Sequence, residues 1–393
     1  MYSLLLAIIY IAFISLGLPD ALLGSAWPVM HQQFNAPISL IGIVTMIISG
    51  GTIISSLFSG KLTRKFGTGL VTAVSVLMTA FAMFGFSISK SIVTLCIWAI
   101  PYGLGAGAVD AALNNYVALH YASRHMSWLH CFWGVGASAG PYIMGYCLTK
   151  DYGWTGGFGI IALVQFVLTA VFFVSLPLWR KSSQESESID TSVDVGLIQS
   201  LNIRGVKFVL LTFFGYCALE STTGFWASSY LVEFRGVDTD IAAKFASLFF
   251  VGITMGRLLS GFIADRVGDK LLIRYGIVII VIGVILVGIP FRNSTVALAG
   301  LIIIGLGCAP VYPSVIHATP ANFGKENSQS IIGIQMASAY VGTTFMPPLF
   351  GLIADNIHIG LYPIYLLALA ALMLIMSETM NKTLANKAAE SNT

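Results

Sequence analysis

Three acidic residues, Asp20, Asp110 and Glu220, lie deep within long apolar stretches of the chain. A carboxylate in such surroundings needs a partner, water or a proton, because at membrane depth it costs about 3 kcal/mol or more. Its chemistry there is that of ion coupling: it can take up and release a proton, or hold another cation. Asn114 follows Asp110 by one helical turn and shares its face, whereas Asn115 points about 100° further round. An amide offers both donor and acceptor, which suits a hydroxyl-rich solute, although small polar residues also tie helices together in membranes. His130 reads either as a proton relay and hydroxyl donor or as a structural histidine. Trp27, Trp133, Trp226, Tyr216 and Tyr312 offer flat faces to a solute ring, and Gln335 a further amide; the same residues also serve helix packing. Arg257 is expected to pair with an acid or with carbonyl groups, not with solute.

The elements that must position these groups follow from composition. The 393 residues are 56% hydrophobic and only 9% charged, against about 25% charged in a soluble domain. That excludes a water-soluble fold, and a net charge of +3 spread over short loops gives no basis for nucleic-acid binding. Cys96, Cys131, Cys147, Cys217 and Cys308 all fall in apolar stretches without metal-binding or redox spacing, so they read as small buried hydrophobes. The first apolar run continues past Asp20 with no cleavage-site pattern, which makes it a spanning helix and not a removed leader.

Apolar runs predict an all-α, polytopic membrane protein with about twelve spans, near 3–33, 38–60, 69–89, 92–119, 126–149, 154–179, 206–232, 241–263, 271–291, 295–318, 328–353 and 361–379. Each is long and continuous enough for a helix, since about 20 residues cross a hydrocarbon core of about 30 Å. Spanning strands would alternate over shorter segments. A Ser- and Glu-rich stretch reads as a cytoplasmic linker over 180–204 between six-helix halves, 1–179 and 205–393 with a short tail. Lys61, Arg64, Lys65, Arg124, Arg266, Lys270 and Arg274 fall on one side, against Lys90, Lys150, Arg235 and Arg292 on the other. The positive-inside rule then places both termini in the cytoplasm. Asn293 opens a glycosylation sequon in a loop expected outside.

The halves resemble each other. Gly60 and Gly67 after span 2 align with Gly261 and Gly268 after span 8 at a shift of 201 residues, and Gly103 and Gly105 align with Gly305 and Gly307 at 202. Asp20 with Gly24 matches Glu220 with Gly224 at 200. Matches at nearly one shift, in corresponding spans, indicate an internal repeat with a site where the repeats meet.

The run Gly261, Asp265, Arg266, Gly268 and Lys270 is similar to the cytoplasmic loop signature of the major facilitator superfamily. The first copy keeps Gly60 and Gly67 but has Arg64 where the family carries an acid. The segments GLPDALLG over 17–24 and LHCFWG over 129–134 further resemble the fucose permease group and its glucose-transporting relatives. That resemblance implies a twelve-helix carrier whose spans 1, 4 and 7 line a central cavity, with alternating access governed by the loop glycines and charges. It implies that Asp20 and Asp110 couple cation movement to a hexose-like sugar, a proton being preferred over sodium. Glu220 would then bind solute or titrate as well.

Two other readings compete. The run Gly136 to Pro141 resembles an antiporter signature, which would make the chain a proton-driven exporter of drugs or metabolites. A non-transporting membrane receptor would keep the fold without a use for the acids. No nucleophile–base arrangement or phosphate-binding loop points to an enzyme. The expected partners are a small solute, a proton or sodium ion and the lipid bilayer, with no cofactor, no metal and no nucleic acid, in a monomer in the plasma membrane.

Overall fold

The computed structural model describes residues 2–20, 22–37, 40–150, 152–179, 197–237, 239–289 and 295–390. Expectations for Arg180–Gly196 of the linker and for the sequon residue Asn293 lie outside them. Among the described residues the spans are helices. Span 1 comprises Tyr2–Asp20 and Leu22–Gln33 on either side of Ala21; spans 2 to 6 are Ile41–Phe66, Thr68–Ser87, Ile92–His120, Ser123–Thr149 and Gly153–Val174. Spans 7 to 12 are Val206–Glu233, Thr239–Val267, Asp269–Gly288, Thr295–His317, Lys325–Ile353 and Tyr362–Glu390. Among the described residues ten stretches are long and apolar enough to cross a membrane, and one of them, Lys325–Lys387, takes in span 11 and nearly all of span 12. Ser123–Thr149 falls short of them because Arg124, His125, His130 and several small residues dilute its apolar content.

Several helices outrun their apolar runs. Span 2 continues through Lys61 and Arg64 to Phe66, and span 12 continues to Glu390, because long-chain residues sustain a helix after the hydrophobic stretch ends. The stretch expected as linker contains a short helix, Leu197–Asn202, whose Ser200 hydroxyl donates to Ser330 at 3.0 Å. The helices are inverted relative to a soluble protein. Along Gly153–Val174 the exposed large apolar residues are Ile160, Leu163, Val167, Val171, Phe173 and Val174, while the opposite face buries Phe158, Ile161, Gln165 and Phe172. An exposed apolar stripe of helical period is a lipid-facing surface. Cys147, Cys217 and Cys308 are buried as expected, whereas Cys96 and Cys131 are only half-buried.

By contact the chain forms two units, Met1–Tyr116 with Leu129–Asp194, and Val117–Trp128 with Val195–Thr393. The repeat shows in how each unit packs. A side chain on Gly103 would run into the Ile48 carbonyl, and one on Gly305 into the Phe249 carbonyl; Gly105 and Gly307 back in the same way onto the carbonyls of Ser75 and Gly276. Helices that approach this closely gain van der Waals contact that lipid cannot offer. Gly67 and Gly268 adopt the same backbone, φ 78° with ψ 153° and φ 80° with ψ 152°, a region that a side chain would strain.

Candidate solute and ion site

In the first unit, Pro19 sets up the position of Asp20. Proline has no N–H, so the carbonyl four residues earlier, that of Ser15, loses its helical partner. Gln165 of span 6 supplies one: its Nε2 donates to the Ser15 carbonyl at 2.5 Å, and its Oε1 accepts from the Ser15 hydroxyl at 2.7 Å. One residue beyond Pro19, the two oxygens of Asp20 are held separately. Tyr102 of span 4 donates its hydroxyl to Oδ1 and Trp133 of span 5 donates its indole N–H to Oδ2, each at 2.8 Å. Both donors are neutral, and Asp20 is otherwise exposed. Such a carboxylate keeps its place by hydrogen bonds whose donors do not compensate its charge, so gaining a proton does not break an ion pair.

A second network lies in spans 4 and 5. Asn114 turns its amide NH2 toward Asp110, donating to the side-chain Oδ1 at 2.8 Å and to the Asp110 carbonyl at 2.9 Å. Its amide oxygen faces His130 Nε2 at 3.1 Å, which makes Nε2 the protonated ring nitrogen. Asp110, Asn114 and His130 are all buried, and Phe13 meets the His130 ring edge-on at 5.3 Å. An amide between carboxyl and imidazole fixes the orientation of both. Asn115 is buried beside them.

The second unit holds its acid differently. Glu220 of span 7 faces the buried guanidinium of Arg257 in span 8, Oε1 to Nη2 3.5 Å apart. The sequence expectation that Arg257 pairs with an acid is met, and that acid is Glu220. The guanidinium also lies 5.9 Å from the Tyr312 ring, whose hydroxyl donates to Met336 Sδ at 3.4 Å. Tyr216 meets Tyr312 edge-on at 5.8 Å and stacks on Phe213; its own buried hydroxyl makes no hydrogen bond of ordinary geometry. Glu220, Arg257, Tyr216 and Tyr312 therefore form one cluster.

The remaining candidates are engaged with protein. Trp226 donates its indole N–H to the Pro347 carbonyl at 2.9 Å and packs edge-on against Phe350 at 5.5 Å. Gln335 is buried and exchanges hydrogen bonds with Thr319, at 3.0 and 3.1 Å. Trp27 is 3% exposed within the core formed with Leu23, Ala26 and Met30. Sequence reasoning missed Tyr102 and Gln165, and it left open whether Arg257 would face an acid or carbonyl groups, and which acid. The open carbonyl that Pro19 leaves at Ser15 was the one local signal for Gln165.

The segment expected as a loop after span 8 is the last part of the helix Thr239–Val267, where Gly261 receives the indole of Trp128 in the place a side chain would fill. Asp265 Oδ1 accepts the Arg124 backbone N–H at 3.1 Å, at the start of Ser123–Thr149, while Arg124 Nε lies 3.4 Å from Oδ2. A carboxylate at a helix N-terminus is favoured by the backbone dipoles. Arg64, at the corresponding place in the first unit, is a cation and cannot accept such a bond.

The sequence profile of the Major Facilitator Superfamily matches residues 9–246 and 209–382. The chain belongs to the major facilitator superfamily. This superfamily member is a multi-pass membrane transporter, not an enzyme, with two pseudo-symmetric six-helix bundles. It is 24% identical over 352 residues to the cis,cis-muconate transport protein of Acinetobacter baylyi, covering 84% of this chain and 83% of that one. It is 21% identical over 352 residues to the glucose/mannose transporter GlcP of Bacillus subtilis, covering 87% and 86%. Its fold is similar to that of the Escherichia coli fucose:proton symporter, with a TM-score of 0.78 at 15% identity over 96% of this chain and 99% of that one.

Proposed function

We propose that the chain is a proton-coupled symporter of a hexose-like sugar, working by alternating access between the halves 1–179 and 205–393. The observation that carries the reading is the Asp20 clamp: a carboxylate in a spanning helix, exposed, with Tyr102 and Trp133 as its donors. A proton arriving at Asp20 neutralises it without breaking an ion pair. The Trp133 ring, pinned by its own N–H, offers a flat face on which the C–H side of a sugar can pack. Asp110 is the second coupling group, steadied by Asn114 and relayed to His130, with Asn115 as a further polar contact. Glu220, with Tyr216 and Tyr312, contributes solute contacts from the second unit; Trp27, Trp226 and Gln335 complete the set of solute residues. Gly60, Arg64, Gly67, Gly261, Asp265, Arg266 and Gly268 govern the cytoplasmic loops. The Lys and Arg distribution supports a cytoplasmic position for both termini, and the carrier is proposed to be a monomer of the plasma membrane. The similarity to a glucose/mannose transporter supports a sugar, and the likeness in fold to a fucose:proton symporter agrees with it.

One positive charge moving inward through 100 mV provides about 2.3 kcal/mol, enough for a roughly 50-fold gradient. The deciding experiment is uptake of labelled glucose, mannose and fucose into proteoliposomes under an imposed proton or sodium gradient. Accumulation driven by protons supports the reading; accumulation driven by sodium alone reassigns the ion. A second reading, proton-driven export, has one observation in its favour: Gly136 and Gly140 of the antiporter-like run pack directly on the Ile14 and Leu18 carbonyls of span 1. Uptake of no sugar under either gradient, with proton-driven extrusion of an organic solute, moves the assignment there.

A further inference from the structure

The transport reading makes no use of His317, the last residue of span 10, yet both nitrogens of its ring face acceptors. Nδ1 lies 2.6 Å from Asp269 Oδ2, and Nε2 lies 3.1 Å from the backbone carbonyl of Tyr121. A carbonyl only accepts, so Nε2 must carry hydrogen. The contact at Nδ1 needs a second proton between nitrogen and carboxyl oxygen. A neutral imidazole has only one N–H, and so the arrangement holds one proton more than neutral histidine beside a carboxylate. Asp269 is the first residue of the helix Asp269–Gly288, and with its Oδ1 accepting the Ser123 hydroxyl at 2.5 Å and its Oδ2 facing Nδ1, both carboxyl oxygens serve as acceptors. The extra proton therefore sits on the ring, as an imidazolium bridging Asp269 and Tyr121.

We propose that His317 and Asp269 form a proton-binding site, separate from the acids within the spans, that fastens the segment between spans 4 and 5 to the second unit. By contact Val117–Trp128 belongs to that unit, and Tyr121 and Ser123 are its points of attachment to His317 and Asp269. The side chains of His317 and Asp269 are 20% and 17% exposed, so protons reach them from water. The other charged and titratable groups nearby are Asp265 with its partner Arg124, the segment's own His120 and His125, and Arg266 and Lys270 flanking the loop. Asp265 adds to the field that favours the imidazolium, and Arg124 offsets it.

The direction of the effect follows from the proton count. The docked segment binds one proton that the undocked segment, with His317 neutral, does not; docking is complete at low pH and weakens as pH rises through the titration of the site. With the orientation proposed above, this site faces the cytoplasm. Where inward opening requires the segment to undock, an acidified cytoplasm holds the carrier closed and stops further proton entry.

The test is hydrogen–deuterium exchange of the full-length protein in lipid nanodiscs, read on the peptide covering 117–128 between pH 5 and 8.5 and corrected for intrinsic exchange. It requires no solute, so failure of the sugar or ion assignment leaves it intact. The expected opening constant rises with pH, by at most about tenfold per unit over the titration, as one released proton requires. His317→Gln should remove the slope and Asp269→Asn should diminish it, while His125→Gln keeps it. A flat wild-type profile overturns the proposal, as does a slope that survives His317→Gln or disappears in His125→Gln. Should His317→Gln fail to fold, the wild-type, Asp269→Asn and His125→Gln profiles still decide.

Discussion

The two units share a backbone plan and differ in how each holds its intramembrane acid. The glycine contacts repeat, Gly103 on Ile48 against Gly305 on Phe249, and the loop glycines Gly67 and Gly268 adopt the same conformation. The charges do not repeat. Asp20 is clamped by a phenol and an indole, whereas Glu220 faces a buried guanidinium. A proton that joins Asp20 breaks no ion pair, whereas one that joins Glu220 breaks its pair with Arg257. Duplication has preserved the packing and allowed the electrostatics of the two halves to diverge.

The comparison can be broken most severely at Arg257. Arg257→Ala leaves Glu220 without its guanidinium in the spans and should cost about 3–5 kcal/mol in unfolding measurements, while Glu220→Leu with Arg257→Met recovers most of that. An Arg257→Ala protein as stable as the parent would remove the contrast. Asp20→Asn comes next. It should abolish gradient-driven accumulation, a drop from roughly 50-fold to none, while sugar exchange persists; retained accumulation would shift the coupling role to Asp110. Gly103→Ala and Gly305→Ala should each cost about 1–3 kcal/mol, because neither site has room for a methyl group. Unequal thermal shifts would show that the repeat is only superficial. The smallest effect is expected at Gln165→Leu, about 1 kcal/mol in thermal stability, since it withdraws the donor from the Ser15 carbonyl. Its coupling ratio should fall with it if Gln165 steadies Asp20.

Span number, helical class and the three acids were legible in the sequence because run length and the cost of a buried charge are local properties. The repeat was legible too, since glycine spacing records helix approach. Asn114 was legible as the neighbour of Asp110, one turn on, but the partners of Asp20 were not. Tyr102 and Trp133 are 82 and 113 residues from Asp20, and no periodicity within one helix says which neighbour will face it. Aromatic and amide residues were the least decidable. Trp226 and Gln335 carry the groups a solute site needs, and they direct them at Pro347 and Thr319. Residue type alone does not distinguish a donor aimed at a ligand from one aimed at the next helix.

The modest apolar content of Ser123–Thr149 bears on how the protein is made. A segment carrying Arg124, His125 and His130 partitions poorly into lipid when it leaves the ribosome. Gly136 and Gly140 press it onto the Ile14 and Leu18 carbonyls of span 1, and Trp133 closes on Asp20. Membrane insertion of this helix therefore depends on a first helix already in place, and assembly of the first bundle proceeds from its amino-terminal end.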